Sequence, residues 1–508
     1  MLSSYDDCLQ RLSPSERGVN PAAIRNFVEA VEREGLELHS FMLWKKDAVI
    51  ASAWWAPYGP ELRHTTHSAT KSFVSTGIGL AVDRGLLSLD DTVISFFPEY
   101  LPPDASPLLA QMTVHHLLTM TSGHATGISG GEWRRLKTSW IAAFLREPMV
   151  YPPGERFVYC SGCSYMLAAI LQKVTGETVR DWMERHLFTP MGIRDLSWDT
   201  GVDGVNTGGN GISAKTSDLL KLGILHLKRG AWNGEQLLGQ AWVEAATGMQ
   251  VADVSLGVFD GKRYAPAGGA GQERDEMRAG YGYQWWRGPD DSFYASGLFG
   301  QCVFVFPALD TVFAYTGGMP SGEKGVQRLF WQHVMPALSG GTAGRASGSD
   351  DDLVTYLATR GIGSIETRPV PAVRRQVSLS CEIAANEDGV TRIGIFCDEH
   401  ACRLVLEDER GTHTIVSAFE GWHAGETTMT GWKLHHSYQP EEMRVLGHAC
   451  WQDDDTLVLD WFFIETTFHD RVVLRLKGDG LSFDRSVNTN STITRMPQLS
   501  GKASEPTG

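Results

Sequence analysis

The sequence predicts an α+β protein: an antiparallel sheet flanked by helices with a helical subdomain, then a separate all-β, barrel-like domain. Three observations predict it. Signals over the first 338 residues run helix, strand hairpin, helical block, further strands and a last helix, the order of a sheet covered by helices. Residues 339–352, SGGTAGRASGSDDD, have the composition of a linker. Beyond them the apolar period changes to two, in short segments such as VSLSCEI, RIGIFCD, CRLVLEDE, TLVLDWFFIE and RVVLRLKG. The expected boundaries are therefore 1–338, a linker at 339–352, a β domain at 353–498 and a polar tail at 499–508.

Each element has a local cause. Asn20 caps a first helix with Pro21 in its first turn; Ile24, Phe27, Val28 and Val31 make one apolar face, and Gly35 ends it. Residues 38–44 and 48–54 alternate around Lys45-Lys46-Asp47, which predicts a hairpin. From 68 to about 250 the chain reads as mainly helical, with starts at Thr113, Ser139, Thr178 and Ser217-Asp218. Residues 261–280 are polar and glycine-rich, and read as a surface loop or lid. GYGYQWWRG (280–288) reads as one alternating strand. Strands at 299–306 and 311–316 turn at Pro307–Asp310, and VQRLFWQHVM forms the last helix of this part.

A net charge of −15 argues against nucleic acid and anionic membranes as partners, since both select a basic face. The N-terminal stretch MLSSYDDCLQRLSPSERG lacks a basic segment followed by an apolar one, and no run approaches a membrane span. A cytoplasmic protein without a membrane span is expected. Eight cysteines scattered over 508 residues read as reduced thiols.

The chemistry centres on HSATKSF (67–73). Residues three apart share one face of a helix, so Lys71 Nζ can reach Ser68 Oγ. Serine is a weak nucleophile until a base takes its proton, and a lysine serves once burial lowers its pKa. The first turn of a helix also offers N–H groups to an oxyanion. Read alone, Ser68 is more readily a helix cap than a nucleophile.

Three stretches in order, HSATKSFVSTGIGLAVDRGLLSLDDTVISFFPEY, MTVHHLLTMTSGH and YPPGERFVYCSGCSYMLAAILQKVTGETV, resemble the serine β-lactamase-related hydrolases of the class C type. That group includes family VIII carboxylesterases, D-aminopeptidases, nylon-oligomer hydrolases, some acyltransferases and penicillin-binding proteins. The resemblance covers residues 20–338 and implies a β-lactamase/transpeptidase-like fold. It implies Ser68 as acyl-accepting nucleophile, Lys71 as base and Tyr159 as a second proton-transfer group. It also implies an oxyanion hole from the Ser68 and Leu298 backbone amides. The family's Tyr-x-Asn motif reads Tyr159-Cys160-Ser161 here, which shortens the third residue. Its Lys-Thr-Gly or His-x-Gly motif reads Ala295-Ser296-Gly297, without a cation to hold a substrate carboxylate. True β-lactamase activity is therefore expected to be weak or absent, and Gly297 still permits close backbone approach.

Ser161, Ser296, Gly297, His124, Trp133, Tyr283 and Trp285 are further candidates for substrate contact. Cys160-x-x-Cys163 has redox spacing but overlaps the tyrosine motif, and Cys397–Cys402 reads as a turn between strands. The expected function is a serine hydrolase acting on a small-molecule ester or amide through an acyl-enzyme, with no metal or organic cofactor. An acyltransferase using the same acyl-enzyme, or a non-catalytic ligand-binding scaffold, are the alternatives. A homo-oligomer is left open, and the β domain resembles barrels that shape the active-site entrance in some peptidases of this family.

Overall fold

The computed structural model describes residues 7–128, 130–254, 258–259, 263–265, 277–340, 348–362 and 376–503. They form two compact units. The first holds the described residues up to Gly317 and from Gly322 to Arg360; the second holds Gly318–Ser321 and the described residues from Gly361 onward.

The first unit opens on α1 (Pro21–Arg33), whose Asn20 side chain accepts from the Ala22 N–H at 3.0 Å. Strands β1 (Leu38–Lys45) and β2 (Ala48–Trp54) follow, then α2 (Thr70–Asp83), α3 (Ser161–Thr175) and α4 (Thr216–Leu227). The sheet is completed by β3 (Gly280–Tyr281), β4 (Trp286–Arg287), β5 (Phe293–Gly297), β6 (Gln301–Phe306) and β7 (Thr311–Gly317). Its order is β3-β4-β5-β6-β7-β1-β2, antiparallel throughout. Helices α5 (Gly325–His333) and α6 (Asp350–Leu357) close the unit.

Alternation along the strands decides which helix each face meets. Phe27 of α1 meets Phe41, Phe313 and Phe330 edge-on, with ring centroids 6.0, 5.8 and 6.0 Å away. The intervening valines point the other way: a Cβ built on Gly223 of α4 would lie 2.6 Å from Val312 and 2.7 Å from Val303. Only a glycine lets α4 sit that close to the sheet. α2 and α3 also pack closely, since a Cβ on Gly77 would meet Leu171 at 2.8 Å.

The second unit is all-β. Its strands are β8 (Val377–Ile383), β9 (Arg392–Cys397), β10 (Ala401–Asp408), β11 (Gly411–Ala418), β12 (His423–Thr427), β13 (Met443–Trp451), β14 (Thr456–Phe462), β15 (His469–Lys477), β16 (Gly480–Val487) and β17 (Leu499–Ala503). They hydrogen-bond in the order β11-β10-β9-β8-β17-β16-β15-β14-β13-β12, and an extra pairing of Ala418 with His448 joins β11 to β13. Nine strands thus close into a barrel around alternate residues such as Ile393, Ile395, Leu404, Leu457, Leu459, Trp461, Val472 and Leu474.

The fold class is the expected one, and four local readings need correction. The polar run before residue 353 is not all linker: Ser349 accepts from the Asp352 N–H at 3.3 Å and starts α6, which belongs to the first unit. Three aspartates in its first turn suit the positive end of the helix, and Leu353 and Leu357 are buried. Residues 499–503 are not a frayed tail but β17, which bonds to both β8 and β16 and so covers two strand edges. GYGYQWWRG is a hairpin of two short strands, because Gln284 takes a left-handed φ of 62° and turns the chain. Within 261–280, Arg263–Ala265 is a strand paired with Gly127–Ile128, and residues 261–262 and 266–276 lie outside the described residues. Among the described residues, no helix is long and apolar enough to cross a membrane.

Candidate active site

Ser68 lies in a single 3₁₀ turn, His67–Ala69, that runs directly into α2. His67, just before it, has φ 46°, a conformation costly for any residue but glycine. The strand end opposite fixes this turn. A Cβ on Gly297 would lie 2.2 Å from the Thr66 carbonyl and 3.1 Å from His67 Cβ. Gly297 is therefore what lets β5 approach the turn that carries Ser68. Leu298 follows it in a tight connection, Leu298 to Gly300, with Phe299 at φ 65°, and its carbonyl accepts from Gln301 Nε2 at 3.2 Å.

Lys71 is 2% exposed, and its three donors meet three acceptors. Nζ donates to Ser68 Oγ at 3.1 Å, to Ser161 Oγ at 3.1 Å and to the Gly209 carbonyl at 2.6 Å. Burial pushes its pKa down to about 7, against an opposing pull from Cys160 and Cys163. A lysine with that pKa exchanges a proton readily near neutral pH. The ring of Tyr159 lies with its centroid 5.1 Å from Nζ. Ser161 opens α3, and Tyr159 precedes it by two residues, so the start of one helix delivers both to Lys71.

The remaining candidates divide. Ala295 is 1% exposed, and its carbonyl accepts from the Cys302 thiol at 3.0 Å; neighbouring Ser296 pairs with Cys302 across the sheet. His124 is buried, shares a hydrogen bond of 2.9 Å with Ser122 Oγ, and lies edge-on to Phe144; burial pushes its pKa to about 4. Trp133 is buried against Trp140 and Tyr165. Tyr283 shares a 3.2 Å hydrogen bond with His115 Nδ1. Trp285 has no exposed surface and packs on His226 and Phe293, so its placement among substrate contacts is corrected: it is a core residue. The hairpin turn sends Trp286 the other way, where it stacks on Tyr159 with centroids 5.6 Å apart. Among the described residues, no group of three or more His, Cys, Asp or Glu side chains is placed to hold a metal ion.

Two contributors carry no signal in the motifs. Gly209 supplies the shortest of the Lys71 bonds through its backbone, and its only sequence mark is the Gly208-Gly209 doublet. Gln284 sits in an aromatic run, yet it ties the two site helices together. Its carbonyl accepts from Ser72 Oγ at 2.7 Å on α2, and its Oε1 accepts from Ser164 Oγ at 2.6 Å on α3. Its Nε2 donates to the Leu117 and Leu118 carbonyls at 3.2 and 2.8 Å. Gln284→Ala removes the side-chain bonds to Ser164, Leu117 and Leu118, leaves the backbone bond to Ser72, and is expected to destabilise the protein by about 2 kcal/mol. Urea unfolding followed by tryptophan fluorescence measures it; a loss under about 1 kcal/mol would mean the network is dispensable.

A model of the Beta-lactamase family matches residues 22–328. The chain is 24% identical over 299 residues to the 6-aminohexanoate-dimer hydrolase of Paenarthrobacter ureafaciens, covering 56% of this chain and 73% of that protein. It is 29% identical over 150 residues to the lovastatin esterase of Penicillium rubens, covering 25% of this chain and 37% of the esterase. A solved Bacillus anthracis structure, assigned provisionally as a 6-aminohexanoate-dimer hydrolase, superposes with a TM-score of 0.50 at 15% identity, covering 61% of this chain and 81% of that one. At that identity the structural likeness speaks to the fold alone.

Proposed function

The chain belongs to the Beta-lactamase family, which makes it a serine hydrolase or acyltransferase of that fold, and from that premise we propose an esterase or amidase for small substrates. Ser68 Oγ attacks the substrate carbonyl as Lys71, with Tyr159 beside it, takes the proton. The oxyanion rests on the Ser68 and Leu298 N–H groups. The same groups return the proton to the leaving alcohol or amine, and water then releases the acyl group from Ser68. The single observation that carries this reading is Lys71: buried, bonded to Ser68 Oγ at 3.1 Å, and with a pKa brought down to about 7.

The substrate preference follows from charge. With Ala295 where the family's cation would stand, the strand offers no charge for a carboxylate. Uncharged short-chain esters and amides fit better than β-lactams. A relative named as an esterase agrees with the ester part of this range. Rates on p-nitrophenyl acetate and butyrate beside a chromogenic cephalosporin test it; a cephalosporin turned over faster than the esters would overturn the preference.

A relative named as a methylbutanoyltransferase, 24% identical over 155 residues, supports acyl transfer as the second reading. Adding an alcohol acceptor separates the two, since a transferase would yield more ester than acid. The pH profile has a definite sign. Lys71 accepts the serine proton only when neutral, so kcat/KM should rise with pH through about 7 and level off above it. A profile flat from about pH 5 to 9 would exclude Lys71 as the base.

A further inference from the structure

Cys160 and Cys163 frame Ser161 at the start of α3, and the steps above use neither. Cys160 immediately precedes the helix, in an extended conformation with φ −143° and ψ 112°. Cys163 lies in the first turn, its N–H on the Cys160 carbonyl at 3.2 Å. Both are wholly buried. Around the Cys160 sulfur stand the Cys163 thiol and the N–H groups of Cys163, Ile128 and Gly162. The first turn of a helix has such N–H groups to give, and its positive end favours a thiolate. Lys71 adds positive field to both sulfurs.

The two thiols differ in kind. Burial raises Cys160, but the hydrogen bonds to its sulfur outweigh burial and hold its pKa below the usual thiol value. Burial and its donation to Cys160 hold Cys163 well above that value. A ready sulfur at a helix start, with a protonated partner three residues on, is the geometry of an oxidisable dithiol.

We infer that Cys160 and Cys163 form a peroxide-sensitive dithiol whose disulfide pulls Ser161 out of register with Lys71. The Cys160 sulfur attacks one oxygen of hydrogen peroxide, the O–O bond breaks, and water leaves a sulfenic acid on Cys160. The Cys163 sulfur then attacks that sulfur. The S–S bond forms as the S–O bond breaks, and the hydroxyl leaves with the Cys163 proton as a second water. Two thiols lose two electrons, and one peroxide becomes two waters. A disulfide holds its sulfurs about 2.05 Å apart, so the turn between them must tighten. Ser161 Oγ, 3.1 Å from Lys71 Nζ, lies in that turn. A small neutral oxidant suits a buried pair.

The effect on activity rests on the proposed roles of Ser68 and Lys71; the chemistry of the pair does not. The full chain is treated with hydrogen peroxide, then with dithiothreitol. Intact mass, peptide mapping and p-nitrophenyl butyrate hydrolysis are followed together. Expected are a loss of about 2 Da mapped to Cys160–Cys163 and a fall in kcat of at least about tenfold, as a displaced positioning group produces. Both reverse with dithiothreitol, and methionine oxidation would not. Cys163→Ala, compared with its own reduced activity, can form no disulfide, so the loss of about 2 Da is absent and Cys160 gains oxygen instead. The inference is overturned if the disulfide forms with kcat unchanged, or if Cys160 goes to sulfinic acid without pairing. It is also overturned if exposed Cys8 oxidises while the pair does not. A wild type that hydrolyses no ester overturns the hydrolase reading instead, and the peptide map still decides whether the pair oxidises.

Discussion

Lys71→Ala is expected to lower kcat/KM for p-nitrophenyl butyrate by about 10²–10⁴-fold, the usual worth of a positioned base. Ser68→Ala should cost more, on the order of 10⁶-fold, as loss of a serine nucleophile does elsewhere. The lysine effect is separable from simple packing. Nζ is bonded to Ser68 Oγ, Ser161 Oγ and the Gly209 carbonyl, so alanine removes a proton acceptor and a three-way brace together. Lys71→Arg keeps the charge and can keep some of those bonds, but a guanidinium does not give up its proton at any working pH. Arginine should therefore fail to restore activity even where it restores stability. An arginine variant with more than about a tenth of wild-type kcat/KM would show that Lys71 acts by charge and not as a base.

The second large effect is expected at a residue outside the quoted motifs. A Cβ built on Gly127 would lie 1.7 Å from the Tyr159 carbonyl oxygen and 2.7 Å from its carbonyl carbon. Both contacts are backbone, so no side chain can swing aside. Gly127→Ala must move the Tyr159 segment or the short strand Gly127–Ile128. A displacement near 1 Å of a catalytic group costs about 10²-fold in rate, and the crowding costs about 3 kcal/mol, the top of the usual overpacking range. The comparison is Gly59→Ala, where a Cβ meets nothing within 4 Å; its stability should stay within about 0.5 kcal/mol of wild type. If Gly127→Ala kept full kcat, the position of Tyr159 would not matter to the reaction.

Much of this fold is legible in the sequence because its signals are periodic. The 3.6 spacing of Ile24, Phe27, Val28 and Val31, and the change to alternation after residue 376, each report one buried face. What the sequence hides is whatever depends on backbone contacts between distant segments. α6 looks like linker because three aspartates mask a helix cap. β17 looks like tail because pairing uses backbone groups that any polar residue carries. GYGYQWWRG alternates like one strand, but a single left-handed residue, Gln284, folds it into a hairpin, with Trp285 against His226 and Phe293 and Trp286 against Tyr159.

The same division runs through the candidate site. Ser68, Lys71, Tyr159 and Ser161 carry their chemistry in side chains at fixed spacings, so a motif finds them. Gly209 contributes only a carbonyl, and Gln284 only a brace. Their partners lie 138 residues away on Lys71 and 120 residues away on Ser164. No local pattern encodes a contact of that span. Trp285 is misread from sequence for a different reason: a ring in an apolar run serves the core as readily as a pocket, and only topology decides between them.

The most direct test of the account is intact-mass spectrometry of the full chain after brief exposure to p-nitrophenyl butyrate and to a fluorophosphonate, with peptide mapping of any adduct. The account predicts one adduct, on Ser68, absent from Ser68→Ala and much slowed in Lys71→Ala. Ester hydrolysis with an adduct on another residue, or an adduct that persists in Ser68→Ala, would contradict it.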